Sequence, residues 1–212
     1  MSHDDFQNEP VRGLPERLPA GEEILWQGSP SWWSLTVESL SLYWVAGYFV
    51  FLFAWRTISG AAVETWTQSA TTASFFLVLG AIVCVLLIII GYVQAKSTVY
   101  TLTNRRVAMR IGAALTITLN LPFRQINNAT LSTRKNGVGT IALEMAETAG
   151  TRLSYLNTWP HVRPWKTKNT QPALRCIPEA AKVAALLAEA AETAVSEPVI
   201  TRVSTADALA AE

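Results

Sequence analysis

The pattern of apolar and polar positions changes character three times along the chain. Residues 39–55, SLSLYWVAGYFVFLFAW, form one apolar run between Glu38 and Arg56. A second, SFFLVLGAIVCVLLIIIGYVQA, sits within residues 65–95, which carry no charge. Its apolar heart, about 75–93, would measure about 28 Å as a helix, the thickness of a hydrocarbon core. Two membrane-crossing helices are predicted, at about 37–56 and 73–94. Past Ala95 the period becomes two. LTITLNL sets Leu115, Ile117, Leu119 and Leu121 on one face and Thr116, Thr118 and Asn120 on the other. TIALEM aligns Ile141, Leu143 and Met145, and TRLSY aligns Leu153 with Tyr155. Turn residues separate these runs: Asn104, Gly112, Pro122, the pair Asn136-Gly137, and Gly150. Seven strands are predicted, at 98–103, 105–110, 115–121, 126–134, 138–145, 151–156 and 172–177. From Pro178 the spacing becomes helical, with Val183, Leu186, Leu187, Ala190 and Ala194 in one stripe.

An amphipathic stripe needs a surface to cover. Seven antiparallel strands closed by one carboxy-terminal helix follow the plan of a pleckstrin-homology-like barrel. The expected fold is therefore an α+β membrane protein: a two-helix transmembrane hairpin, then a seven-stranded antiparallel barrel capped by a helix. The expected divisions are an acidic segment at 1–36, the hairpin at 37–94, the β-domain at 95–195 and a flexible tail at 196–212.

Charge adds orientation. The 212 residues sum to a net charge of +1, but the sum hides a gradient. Residues 1–38 hold two Arg against seven acidic residues, while 95–177 hold twelve Lys and Arg against Glu144 and Glu147. The loop between the apolar runs has Glu64 and no cation, whereas Lys96, Arg105, Arg106 and Arg110 follow the second run. Cations stay on the cytoplasmic side, so both termini are expected there. Trp32 and Trp33 before the first run and Trp55 at its end have the spacing of interfacial belts, with Lys96 anchoring the second run. MSHDDFQNEP opens the chain without the basic and then apolar pattern of a secretory signal. Cys84 lies in an apolar run and Cys176 in the basic region, too far apart in depth for an intrachain disulfide.

Catalytic chemistry has little material. His3 and His161 are the two histidines, with no CxxC or HExxH. Asn136-Gly137-Val138-Gly139 reads as a hairpin turn, and the β-domain has no paired acids for a cleft. An enzyme is not expected. The segment NTWPHVRPWKTKNTQP, 157–172, is too rich in proline for strand or helix. Trp159 and Trp165 bracket or adjoin His161, Arg163, Lys166 and Lys168, a composition suited to a partner surface or a headgroup layer. Packing of its tryptophans back on the barrel is the competing reading. His161 is also a candidate axial ligand for bacteriochlorophyll magnesium; no other cofactor is expected. Arg105 and Arg106, at a tight turn, are candidates for contact with anionic lipid. Nucleic-acid binding is disfavoured, since no reading motif is present. Gly80 and Cys84 make a small-xxx-small pair that would allow close helix packing, within the chain or in a homodimer.

The ordered set LPAGEEILWQGSPSWW, TVYTLTNRRVAMRIGAALTITLNLPFRQI, WPHVRPW and QPALRCIPEA resembles the PuhB family, the photosynthetic complex assembly proteins of purple phototrophic bacteria. The resemblance spans about residues 18–190. It implies a non-enzymatic factor that assists assembly of the photosynthetic reaction centre and its core light-harvesting antenna. The implied partners are reaction-centre subunits and core antenna polypeptides, and the implied location is the inner membrane and its intracytoplasmic extensions. A general anionic-lipid-binding protein and a pigment carrier are the alternatives.

Overall fold

The computed structural model describes residues 11–112, 116–146 and 153–196. Strand β1 (Ile24–Gly28) leads into helix α1 (Trp32–Ser39), then α2 (Leu42–Gly60) and α3 (Trp66–Ser97). Strands β2 (Val99–Thr103), β3 (Arg106–Ile111) and β4 (Ile117–Pro122) follow, and a 3-10 turn, Phe123–Gln125, leads to β5 (Ile126–Thr133) and β6 (Gly139–Met145). A short helix α4 (Tyr155–Thr158), strand β7 (Ala173–Ile177) and helix α5 (Ala180–Ser196) complete the order.

Helices α2 and α3 are both long and apolar enough to cross a membrane. At 1.5 Å per residue, α2 measures about 28 Å and α3 about 48 Å. Helix α3 starts seven residues before the expected 73, because Thr65 and Gln68 form a capping box that captures the polar TQSATT turn. The first apolar run is not one helix. Ser41, at φ +55, breaks the path between α1 and α2. The two long helices meet where side chains are small: a Cβ on Gly80 would sit 2.7 Å from the Cβ of Phe49 in α2. Gly80 thus serves packing within the chain, and the protomer contact considered for that stripe finds this position taken.

The strands form two sheets, in the order β1-β2-β3-β4 and β5-β6-β7, all neighbours antiparallel. The expected closed barrel is not observed. The chain turns the corner between sheets at Pro122, which has no N–H to give to a ladder, and the 3-10 turn after it. On the opposite side the sheets meet through Ser31 N–H donating to the Cys176 carbonyl at 2.8 Å, with α1 lying over the seam. Tyr100, Leu102, Val107 and Met109 face Ile141, Leu143, Leu174 and Ile177 across the core. Val183, Leu187 and Ala190 of α5 cover its open end, which is the role the stripe in that helix anticipates.

Two elements differ from expectation. Strand β1 was not anticipated, yet it pairs with β2 in the register Trp26↔Leu102 and Gly28↔Tyr100. The helical hairpin is therefore an insertion between two neighbouring strands of one sheet. Preceding residues strap the outer face of β2. Gly13, at φ +83, lets the backbone approach the Val99 side chain, and Leu14 is buried. The predicted strand 151–156 is not a strand where it is described: Tyr155 opens α4, and residues 151–152 lie outside the described residues. The expected tail lies outside them too, from residue 197. Asn136-Gly137 does make the β5–β6 hairpin turn, with Gly137 at φ +78.

Candidate functional site

The loop 159–172 is built on a buried polar relay. His161 is fully buried, and its Nδ1 lies 2.6 Å from the Tyr100 hydroxyl and its Nε2 3.1 Å from Thr98 Oγ1. The surrounding bonds fix the proton positions. Tyr100 Oη accepts from the Arg175 backbone N–H, and Thr98 Oγ1 donates to the Gln94 carbonyl. Tyr100 therefore donates to Nδ1, and Nε2–H donates to Thr98. Burial, and after it the Arg175 charge, hold the His161 pKa down at about 3, so the ring is neutral. Burial likewise pushes the Tyr100 hydroxyl far above its usual range. Axial ligation of a pigment by His161 is thus corrected: both ring nitrogens are occupied inside the core, and neither lone pair nor access is left for a magnesium ion.

The relay ties the loop to the end of α3, since Thr98 is its C-cap. The base of the loop then closes as a narrow antiparallel ribbon. Val162 bridges Pro172, Arg163 N–H donates to the Gln171 carbonyl, and Ala173 N–H donates to that of His161. The Arg163 guanidinium bonds Gln171 Oε1 at 3.2 Å, and Arg175 Nη1 bonds the Val162 carbonyl at 3.1 Å. Arg163 is thereby part of the loop's frame. Beyond that frame the tip stands free. Trp165 is 94% exposed at φ +64, and Lys166 and Lys168 are exposed beside it. Trp159 is 42% exposed. The loop is therefore divided: its base packs into the core and its tip faces outward.

The β2–β3 turn has a different fate. Arg106 Nε and Nη2 hold the two Glu22 carboxylate oxygens at 2.8 and 3.2 Å, and Thr103 Oγ1 donates to Glu22 Oε1 at 2.8 Å. Arg106 is thus not available to lipid; the acidic segment before β1 consumes it. Arg105 remains exposed. The turn is also separated from α3 by the length of β2, about 16 Å at 3.3 Å per residue. Lys96, by contrast, is at the end of α3 with its ammonium 5.8 Å from the Tyr92 ring centroid. Trp32 and Trp33 lie on α1 rather than in a linker, half exposed, with Trp32 edge-on to Tyr92 at 6.1 Å. Trp55 does not end its helix; α2 continues to Gly60.

A family model described as Bacterial PH domain matches residues 41–191. The chain belongs to the bacterial PH domain family. It is also similar to a Rhodobacter capsulatus protein described as an uncharacterized 23.7 kDa protein in the puhA 5′ region. The two are 44% identical over 204 residues, covering 93% of this chain and 92% of the relative. No solved structure matches.

In this bacterial PH domain several positioning residues escape sequence reasoning. Glu22, Thr98, Tyr100 and Arg175 hold the loop and the strap; all four lie inside the quoted motif stretches, yet nothing in those stretches marks which residues they meet. Tyr100 and Thr98 alternate correctly for a strand, and their polar atoms give no sign of a partner some 60 residues downstream. Among the described residues no group of three His, Cys, Asp or Glu could hold a metal ion.

Proposed function

We propose that this protein assists assembly of the photosynthetic reaction centre and its core light-harvesting antenna by contact, without catalysis, from the cytoplasmic face of the inner membrane. One observation carries the reading: an exposed Trp165 with Lys166 and Lys168 tips a loop whose base is tied to the end of α3 by the His161–Thr98 bond. Tryptophan is enriched among the few residues that carry most of the binding energy at protein interfaces. The motif set shared with assembly proteins supports it, as does the relative named for the puhA 5′ region. The partners are reaction-centre subunits or core antenna polypeptides.

In this reading α2 and α3 cross the inner membrane and its intracytoplasmic extensions. The pairing of β1 with β2 keeps both flanks of the hairpin on one side. The cations after α3, against Glu64 alone in the connecting loop, favour the cytoplasm for that side. A second reading, contact of the tip with anionic lipid, is favoured by the exposed Lys166 and Lys168 that follow Trp165, at about 1 kcal/mol per cation.

The test is complementation of a deletion strain, with assembled reaction centres measured by membrane absorbance. Deletion should reduce them, wild type should restore them, and Trp165→Ala/Lys166→Glu/Lys168→Glu should fail at equal abundance in the membrane. Normal reaction-centre levels in the deletion strain would refute the assembly role. Flotation of the full-length protein's cytoplasmic face on anionic and neutral vesicles separates the lipid reading.

A further inference from the structure

Strand β5 is the edge of its sheet, hydrogen-bonded among the described residues to β6 alone. All its residues after Ile126 are exposed. Folded proteins usually blunt such an edge with charge, proline or a cover, because its free N–H and C=O groups pair with any extended chain. The sequence INNATLST has neither charge nor proline, and its one irregularity lies between Ile126 and Asn128. Beside this edge is a groove of about 470 Å³. Ile126, Ala129 and Leu131, with Asn127 and Asn128, line it from β5, and Ala184, Leu187 and Ala188 line it from α5. Glu192 is its one charged lining residue.

We infer that this groove binds an extended segment of a partner polypeptide, which adds as an antiparallel strand to β5 and places a Lys or Arg against Glu192. The free edge selects an extended backbone, since only a peptide ladder satisfies alternating donors and acceptors along eight residues. The aliphatic walls select apolar side chains at alternate positions. Direction follows from the placement of α5. Its first residue, Ala180, donates to the Gly137 carbonyl at the β5–β6 hairpin, and its later residues reach Phe123 and Ile126. Helix α5 therefore runs opposite to β5, and Glu192 stands at the Ile126 end. An antiparallel guest finishes at that end, so its cation belongs at its carboxy-terminal side. This surface is separate from the Trp165 tip, and the inference stands whatever that tip holds.

Random octapeptides displayed on phage, panned against full-length protein in nanodiscs, test it. Ala188→Trp protein, altered at an exposed position and checked for an unchanged melting temperature, serves for counter-selection. Enriched peptides should alternate apolar residues and carry Lys or Arg near the carboxy terminus. Fluorophore-labelled copies should bind wild type, bind at least tenfold more weakly to Glu192→Lys, and lose binding on N-methylation of alternate residues. The inference is overturned if no peptide is lost with Ala188→Trp, if N-methylation is tolerated, or if binding first appears on deleting 197–212. A wild-type dimer that Ala188→Trp makes monomeric would overturn it too, by assigning the groove to a second copy.

Discussion

His161 shows how much one residue can organise. The folded chain keeps its ring neutral down to about pH 3, whereas an unfolded histidine takes up a proton near 6.5. Stability from this group is therefore complete above pH 6.5 and declines as pH falls towards 3, by at most about 1.4 kcal/mol per unit. Between pH 7 and 5, above most carboxylate titration, the wild type should lose stability to denaturant in detergent. His161→Gln should be less stable at pH 7, with a flatter dependence over that window; equal slopes would contradict a buried neutral ring. Tyr100→Phe strands His161 Nδ1 and the Arg175 N–H together. Each buried orphan costs about 1–3 kcal/mol, so this single oxygen should cost more than most surface changes. Trp165→Ala should leave stability within about 0.5 kcal/mol, because the ring touches solvent.

At the scale of elements, α1 is the joint between the helices and the sheets. Thr36 packs on Gly91 of α3, where any Cβ would overlap it. Leu35 shares a buried cluster with Ala95 and Cys176, and Glu38 binds Arg134 at 2.7 Å. Gly91→Leu should lift α1 away. Cys176 reports this: its thiol is buried and pushed up to about 12 by that burial and then by Glu38, so it should resist maleimide in a Cys84→Ser background. Gly91→Leu should make it react. Glu22→Ala should free the strap before β1, at a cost of about 1–3 kcal/mol and with new protease cuts near residues 11–22. Sequence periodicity read most of these elements well where a face was buried: LTITLNL, TIALEM and the α5 stripe. It missed β1 because ILWQG is short and mostly exposed, and its partner lies about 70 residues away. It misread TRLSY because two apolar positions are too few to establish a period, and the short helix α4 opens at Tyr155. It marked 157–172 as a loop through its prolines and left packing and outward contact both open, but it could not see that His161 turns inward, since burial depends on Tyr100 and Thr98 meeting it.

On the scale of the whole molecule, the hairpin is attached at both ends to adjacent strands. A domain on a single tether would swivel; here the pairing of Gln27 with Thr101 and of Gly28 with Tyr100 fixes its pose against α3. With the hairpin in a bilayer, protease added on the side of the two sheets should therefore reach the Trp165 tip while sparing residues 24–28, and protease from the other side should cut near Glu64.

The same insertion sets a timetable during synthesis. Strand β1 leaves the ribosome about 70 residues ahead of β2. At about 5–20 residues per second it stays without its neighbour for roughly 4–14 s, while, in the proposed topology, α2 and α3 enter the bilayer. A nascent chain whose second helix failed to return would strand β1 and β2 in different compartments, and the four-stranded sheet could never form. Completion of that sheet thus certifies correct insertion, and a chain that fails is left with an unpaired strand open to degradation.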